Sequence, residues 1–539
     1  MIIHMKNNRR MILAIISIVI AWIAPLQATT LSLKDSVFSS LQLLKDIDTI
    51  TIESCTFENM SGPALIIEKA KSVNISNCIF RNITLRENQD SLGVLSGKGI
   101  ASIQVLNCEF SNIAGTAIRF PIGTTTTVED RNFMFIMSGC RMNGIKTLQN
   151  VKGNGVMVSH SNYAFIVGNR FRNIENDAIT LGSIDAQTVD MGNVQGNRID
   201  SVLGNGIVIL ESAIKPWIKD NIIFWIAYDG KGANPNAAEH GISNRAIGSL
   251  IQNNAVLYNH DGREIGKNGN GIYSACNAII EQNTIGYCTG YGIEYSGNAE
   301  SKGALTIQNN VIFENDRNGV FVNTSGLSVR SPDSIMILHN TIMNHKVQSL
   351  MQESCPIAID SCNAPVTIAG NYTIYMDQFN PLEHIRILNA SLQPRILYNI
   401  NASNTGEFVD ASIGDYKLLA NSIAINYAKH GIPIILDREG RFRSGIPDAG
   451  AFEFMSPASI REDITGFITA MNQITMREER NVKACALYSL EGEQVACSFT
   501  QDQSTLSISI SESLPAGVYL CRVTYAGEHI REFPLIHNP

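Results

Sequence analysis

From residue 50 to residue 375 one spacing of apolar and polar positions recurs along the chain. A Cys or Asn is followed two residues later by an apolar side chain, often by Asn four residues on, and by an apolar side chain five on. A Gly and a further short apolar run complete the unit. Cys78-Ile79-Phe80-Arg81-Asn82-Ile83, Cys108-Glu109-Phe110-Ser111-Asn112-Ile113 and Asn169-Arg170-Phe171-Arg172-Asn173-Ile174 are three instances. The first position is Cys55, Cys78, Cys108, Cys140, Asn169, Asn197, Asn221, Asn254, Asn283, Asn310, Asn340 and Asn371, with Ser36 as a partial thirteenth. The intervals run from 19 to 33 residues. Repeats of this size build solenoids. The period within each repeat is two and not 3.6, so the unit is strands and turns. The spacing therefore predicts an all-β parallel β-helix of about twelve coils, one per repeat. Equivalent residues then stack about 4.8 Å apart along a rod about 55 Å long.

An inward Asn at the corner of each coil can donate to and accept from the coils on either side, forming an internal ladder. It also tolerates a left-handed backbone. Cys in the first four coils takes the same column as a small apolar substitute. This pattern resembles right-handed parallel β-helix proteins, the fold of pectate lyases, polygalacturonases and many surface adhesins, over about 320 residues. The stacked cysteines leave two states open. A rise of about 4.8 Å lies within the Cα separation of a disulfide, and free thiols buried in a stack are the other reading. Eleven Cys leave at least one unpaired.

Both ends change character. Lys6, Arg9 and Arg10 precede an apolar run from Met11 to Ala24, and Pro25-Leu26-Gln27-Ala28 ends in a small residue. This reads as a secretory signal over residues 1–28, with the β-helix occupying 29–375. Residues 376–455 are expected to be a connecting module that caps the last coil. It ends Asp448-Ala449-Gly450-Ala451-Phe452-Glu453, and its charged residues are expected to serve turns and capping. Residues 456–539 alternate as short strands around the turn signals Glu491-Gly492 and Pro515-Ala516-Gly517. The spacings Tyr488 to Val495 and Leu514 to Val523 resemble the C-terminal sorting domain of type IX secretion in Bacteroidetes, a small β-sandwich. That resemblance implies export to the outer-membrane surface or the medium, with the type IX machinery as partner.

Composition narrows the classes. Asn accounts for 51 of 539 residues and Gly for 42, while charged residues are 17%. The formal charge is -8, with no basic run, so nucleic acid is a poor partner. No stretch after the signal is long and apolar enough to span a membrane as a helix. The Asn excess is read as ladder and turn chemistry.

Candidate chemistry lies where the coils carry long turns. One runs Tyr228-Asp229-Gly230-Lys231 to Glu239-His240, the next from Tyr258 through His260-Asp261-Gly262-Arg263-Glu264 to Lys267. Both follow the ladder residue by the same offset, which predicts that they are neighbours. A glycoside hydrolase needs two carboxylates, from Asp229, Glu239, Asp261 and Glu264. A polysaccharide lyase needs a cation, Ca²⁺ or Arg263, and proton-moving groups such as His240, His260 and Lys267, with Lys231 beside the substrate. Trp225, Tyr258 and Tyr287 sit four residues after the ladder in successive coils. Pointing outward, they would form an aromatic strip for sugar rings. The paired Asp, Gly-His-Gly and Arg-x-Lys of polygalacturonases and the motifs of pectate lyases are absent, so no family's catalytic residues carry over. The expected partner is polysaccharide or a cell-surface glycan. Enzyme and non-catalytic adhesin both remain open.

Overall fold

The computed structural model describes residues 29–120, 132–149, 151–182, 189–227, 239–260, 269–297, 303–324, 332–344, 355–375, 384–429, 434, 436–443 and 446–454, and the strands between 467 and 537. The expected signal, 1–28, lies outside the described residues. The chain divides into two units, residues 1–454 and 455–539.

The first unit is a parallel β-helix. Each coil gives one strand to a 14-stranded sheet and two to a 25-stranded sheet, all paired in parallel. Ile222–Ile226, Ile242–Asn244 and Ser249–Gln252 make one such turn. Inward side chains stack in register. Phe38, Phe57, Phe80 and Phe110 form a column with ring centroids 5.0, 4.7 and 4.7 Å apart. Ile223, Val256, Ile285, Ile312 and Ile342 occupy the same column further along, all fully buried.

The ladder is continuous. Cys78 and Cys108 each donate their N–H to the thiol of the next coil at 3.4 Å. Cys140 donates to Asn169 Oδ1 at 2.9 Å. From there each Asn donates its N–H and Nδ2 to the next Asn Oδ1 at 2.9–3.0 Å, through Asn371 to Asn399. The cysteines thus carry the ladder as well as fill it, since each Sγ also reaches a backbone carbonyl. All four thiols are free and buried. A hydrogen bond donated to the next thiol along the ladder, reinforced by burial, pushes Cys78 and Cys108 up to about 12. Thiols so poorly ionised are unreactive.

The left-handed residues are not the ladder residues. They stand immediately before them: Ser54, Asn77, Asn107, Gly139, Asp220, Asn253, Asn309 and their equivalents. A second left-handed column falls four residues after the ladder, at Asn59, Asn82, Asn112, Gly144, Asn173, Ser201, Trp225, Tyr258, Tyr287 and Glu314. Strand pairing skips this position, as where Phe224 pairs Leu257 and Ile226 pairs Asn259. It is a stack of bulges. The extra residue resets the alternation, which is why positions two and five after the ladder both point inward.

The stack continues past Tyr375. Strands Ile385–Leu388, Arg395–Leu397 and Ile400–Ala402 add another coil, moving the boundary of the β-helix from 375 to Ala402. Residues 403–454 do not lie over the end of the last coil, as expected for a cap. They run along the side, against the left-handed corner column. Gln282 Nε2 donates to Asp437 O, Asn309 Nδ2 to Leu436 O, and Gly450 N to Gly370 O. Phe408, Tyr416, Leu418 and Phe452 cover Phe313, Met343, Tyr372 and Ile374 on the outer face of the 14-stranded sheet. The charged residues here hold the segment together. Arg438 donates to Gln282 O and Asn283 O, and Asp437 Oδ1 accepts the N–H groups of Glu439 and Arg441.

His339 lies under this segment with its Nδ1 2.9 Å from Asp448 O. Burial, and the nearby charge of Arg443, lower its pKa from 6.5 to about 3. The unfolded chain therefore binds a proton that the folded chain refuses between those values. Stability should fall as pH drops from about 6.5 toward about 3, by at most about 1.4 kcal/mol per pH unit. Burial raises Asp448, which acts in the opposite sense. The comparison of His339→Gln with wild type isolates the histidine, and the variant should show a flatter loss of melting temperature between pH 7 and 4. Parallel curves would remove the histidine from the acid response.

The second unit holds two four-stranded antiparallel sheets. In one, Val482–Ser489 pairs with Gly517–Tyr525 and with Gln494–Val495. Leu506, Ile508 and Val523 are buried. Among the described residues no helix is long and apolar enough to cross a membrane.

Candidate functional site

Two outward columns flank the long turns. The first ends the strands of the 14-stranded sheet. Trp225 and Tyr258 are 46% and 40% exposed. Tyr287 stacks on Tyr258 with centroids 4.6 Å apart and planes within 5°, and meets Phe313 edge-on. All three occupy the bulge column, with φ of 55–57°. Earlier coils place Asn, Gly or Ser there, residues for which a left-handed backbone costs little. A large aromatic pays more. Such strain concentrates at binding sites.

The second column begins where the chain leaves those turns. Gly241-Ile242-Ser243, Gly271-Ile272-Tyr273, Gly292-Ile293-Glu294 and Gly319-Val320-Phe321 align coil over coil. The Gly is required by close packing: a Cβ on Gly271 would stand 2.3 Å from Ile285 Cγ2 and 2.7 Å from Gly292 O. The Ile or Val points inward, so Ser243, Tyr273, Glu294 and Phe321 point outward. The preceding corner residues form their own ladder. Asn205 donates its N–H to Asp177 Oδ1, His240 N–H to Asn205 Oδ1, and Tyr291 N–H to Asn270 Oδ1.

Aromatic contacts tie the corner to the column. The His240 ring stacks on Tyr273 at 4.9 Å, and Tyr291 on Phe321 at 4.5 Å. Arg317 lies 5.2 Å over Tyr291 and donates to its hydroxyl. Asn270 Nδ2 donates to Glu294 Oε2. Burial raises the Glu294 pKa, against the lowering effects of Asn270 and Arg317. Burial also raises Tyr273, with the charge of Glu294 adding to it. Chemically, this is a carboxyl whose pKa burial raises, in register with the Tyr273 phenol and within the field of the Arg317 guanidinium.

Of the residues singled out from sequence, Trp225, Tyr258, Tyr287, Glu239, His240 and His260 are described. Glu239 and His240 are buried, 2% and 6% exposed. His260 donates its N–H to Ile226 O, which sets the starts of the two long turns side by side. Asp229, Lys231, Asp261, Arg263, Glu264 and Lys267 lie outside the described residues. Tyr273, Glu294, Asn270, Tyr291 and Arg317 were not singled out, although the repeated Gly-Ile/Val-x signal marks the outward x. Among the described residues no three His, Cys, Asp or Glu side chains gather in a metal-holding group.

The sequence matches the family described as "Right handed beta helix region" over residues 43–238 and again over 154–331. No curated protein matches the chain. Among solved structures, it is similar to a mutant of the periplasmic alginate epimerase AlgG at 14% identity and TM-score 0.36, covering 66% of this chain and 77% of that one. It is similar to the A-module of the mannuronan C-5 epimerase AlgE4 of Azotobacter vinelandii at 13% identity and TM-score 0.31, covering 68% and 90%. A tailspike of E. coli bacteriophage HK620 is similar at 10% identity and TM-score 0.32, covering 92% and 71%.

Proposed function

Because this chain belongs to the right-handed β-helix family, we propose that it binds polysaccharide on the outside of the rod and depolymerises it beside Glu294. The observation that carries the reading is the Trp225, Tyr258 and Tyr287 column, left-handed where the earlier coils use Asn, Gly or Ser, with Trp225 and Tyr258 exposed and Tyr287 half-buried beneath them. Flat aromatic faces suit the apolar faces of pyranose rings. Glu294, outward in the column and held through Oε2 by Asn270 Nδ2, is the proton donor to a leaving glycosidic oxygen, and burial shifts its pKa in the direction that role needs. His240 and Tyr273, stacked at 4.9 Å, stand on the coils before Glu294, and Arg317, over the Tyr291 ring, orients polar groups on the coil after it.

Purified protein is incubated with pectin, alginate and glycosaminoglycans and followed for unsaturated ends by ultraviolet absorbance and for reducing ends. Release that disappears in Glu294→Gln supports the depolymerase. No release from any polymer, with binding retained on a glycan array, makes the protein an adhesin. In either case Trp225→Ala/Tyr258→Ala should weaken polysaccharide binding about tenfold or more, measured by affinity electrophoresis. Undiminished binding removes the aromatic column from the site.

We further propose that the unit from residue 455 directs type IX export to the cell surface. The Tyr488 to Val495 and Leu514 to Val523 spacings support this, and Tyr488, Val495 and Val523 fall on paired strands of one sheet. Fusing residues 455–539 to a periplasmic reporter in a Bacteroidetes host tests it: the reporter should appear outside the cell, and retention in the periplasm would refute it.

A further inference from the structure

The outer face of the 14-stranded sheet changes its chemistry along the rod. In the last coils it is apolar and covered by residues 403–454. Before the aromatic column it is basic. Arg141, Arg170 and Arg198 occupy the same position in three successive coils and pair in register, all exposed. Arg172, also exposed, stands two residues after Arg170 on the same face. Its Nε lies 3.2 Å from Asp200 Oδ1, and Arg198 Nε 4.0 Å from Asp200 Oδ2. Arg141 and Arg170 have no carboxylate partner among the described residues. Glu109 precedes Arg141 in register and ends the column on that side.

This arrangement runs against the rest of the chain. The protein is net acidic, at -8. Like charges placed directly opposite on neighbouring strands destabilise a sheet. Three stacked guanidinium groups, with Glu109 in register at one end and Asp200 beside Arg198 at the other, leave Arg170 between two like charges, and an anionic ligand would relieve that repulsion. The side chains repeat every strand spacing, about 4.8 Å, comparable to the advance per sugar of an extended pyranose chain. Each guanidinium can take a carboxylate or sulfate through two parallel hydrogen bonds. The column also leads into the aromatic residues. Arg198 lies 4.7 Å over the Phe224 ring, and Phe224 meets Trp225 edge-on at 5.2 Å. Ile222, next in register after Arg198, is 45% exposed.

We infer that Arg141, Arg170 and Arg198 form a docking track for an acidic polysaccharide, one acidic sugar per coil, which delivers the chain to the Trp225–Tyr287 aromatic column. This rests on the reading of that column as a polysaccharide site. The track is a separate surface from the Glu294 site and adds a charge requirement that the aromatic column by itself does not impose.

Binding of the full chain is measured by affinity electrophoresis and calorimetry with alginate and polygalacturonate, with dextran and xyloglucan as neutral polymers, and with single-stranded oligothymidylate as a polyphosphate. The expected result is salt-sensitive binding of the acidic glycans that falls at least about tenfold in Arg141→Gln/Arg170→Gln. Arg170→Lys, which keeps the charge but loses the planar fork, should fall in between. Melting temperature should hold or rise in the double variant, because its side chains are exposed and mutually repelling. Acidic and neutral glycans bound alike, with no change in the double variant, would overturn the track and leave the aromatic site standing. Binding of no glycan by wild type would overturn both. Oligothymidylate bound as tightly as alginate and lost in the same variant would make the column a nucleic-acid surface and refute the glycan assignment.

Discussion

Asn254→Leu is expected to lower the unfolding free energy by about 4 kcal/mol. The side chain is fully used. Its Oδ1 accepts from Asn221 N at 3.0 Å and Asn221 Nδ2 at 2.9 Å, and its Nδ2 donates to Ile218 O at 2.9 Å and Asn283 Oδ1 at 3.0 Å. Leucine fits the volume but strands the Asn221 N–H and Nδ2 donors and the Ile218 O acceptor on the preceding coil, while Asn283 Oδ1 keeps only the backbone N–H of residue 254. All of them lie in a column only about 1% exposed. Each buried orphan costs about 1–3 kcal/mol. Asn254→Cys should cost less, because the first coils show a thiol accepting the same N–H at 3.4 Å. Guanidinium unfolding followed by tryptophan fluorescence, with Trp217 and Trp225 one coil away, reads the difference. A loss below about 1 kcal/mol for leucine would mean that apolar stacking and not the amide ladder holds this corner.

Arg443→Met is the second large effect, at about 3–5 kcal/mol. The guanidinium is wholly buried, pairs with Glu453 at 3.2 Å and donates to Asn309 Oδ1 at 2.9 Å, Gly450 O at 2.8 Å and Asp448 O at 3.1 Å. One side chain thus ties residues 446–453 both to themselves and to the rod. Methionine leaves the Glu453 carboxylate buried with Asp448 N–H as a remaining donor. The segment from 403 to 454 should detach before the rod melts, exposing Phe408 and Tyr416. Limited proteolysis checks this: early cleavage within 403–454 is expected in the variant and not in wild type. Arg443→Met/Glu453→Gln should recover part of the loss, because the orphaned charge is gone. Equal proteolytic resistance of wild type and Arg443→Met would mean that the apolar cover over Phe313 and Tyr372 suffices alone.

The rod was legible because its regularity is local and repeated: each ladder Asn announces its corner, and Phe80, Phe110 and Phe171 announce the inward face. What the pattern hid was the bulge. The frequent Asn four residues after the ladder was visible, but its cause was not, since a left-handed residue leaves no hydrophobic signature. It is read only once Asn82, Asn112 and Asn173 are seen to share φ of 52–57° with Trp225 and Tyr258. The lateral path of residues 403–454 had no periodic signal at all. It depends on contacts such as Arg438 with Gln282, 156 residues apart. The site was half legible. The long turns drew attention to the coils that carry Trp225 and Tyr258, and the offset from the ladder to the aromatic strip itself. The other flank, Tyr273 and Glu294, sits in short tidy strands where the sequence draws no attention, and its meaning comes from stacking across coils.

The ladder also bears on how such a chain can lengthen. Each interior Asn accepts two hydrogen bonds from the ladder residue before it and gives two to the next, through its N–H and Nδ2, with the remaining Nδ2 hydrogen on a backbone carbonyl one coil back, as at Asn254 and Asn283. A duplicated coil therefore brings as many donors and acceptors as it uses, and inserting one leaves no polar group unmatched. In genetic terms the rod is closed under tandem duplication: whole coils can be gained or lost with the interior intact, while a frame that cuts a coil midway breaks every column at once. The exterior is free of that rule, so arginines, aromatics and long turns can be exchanged one coil at a time.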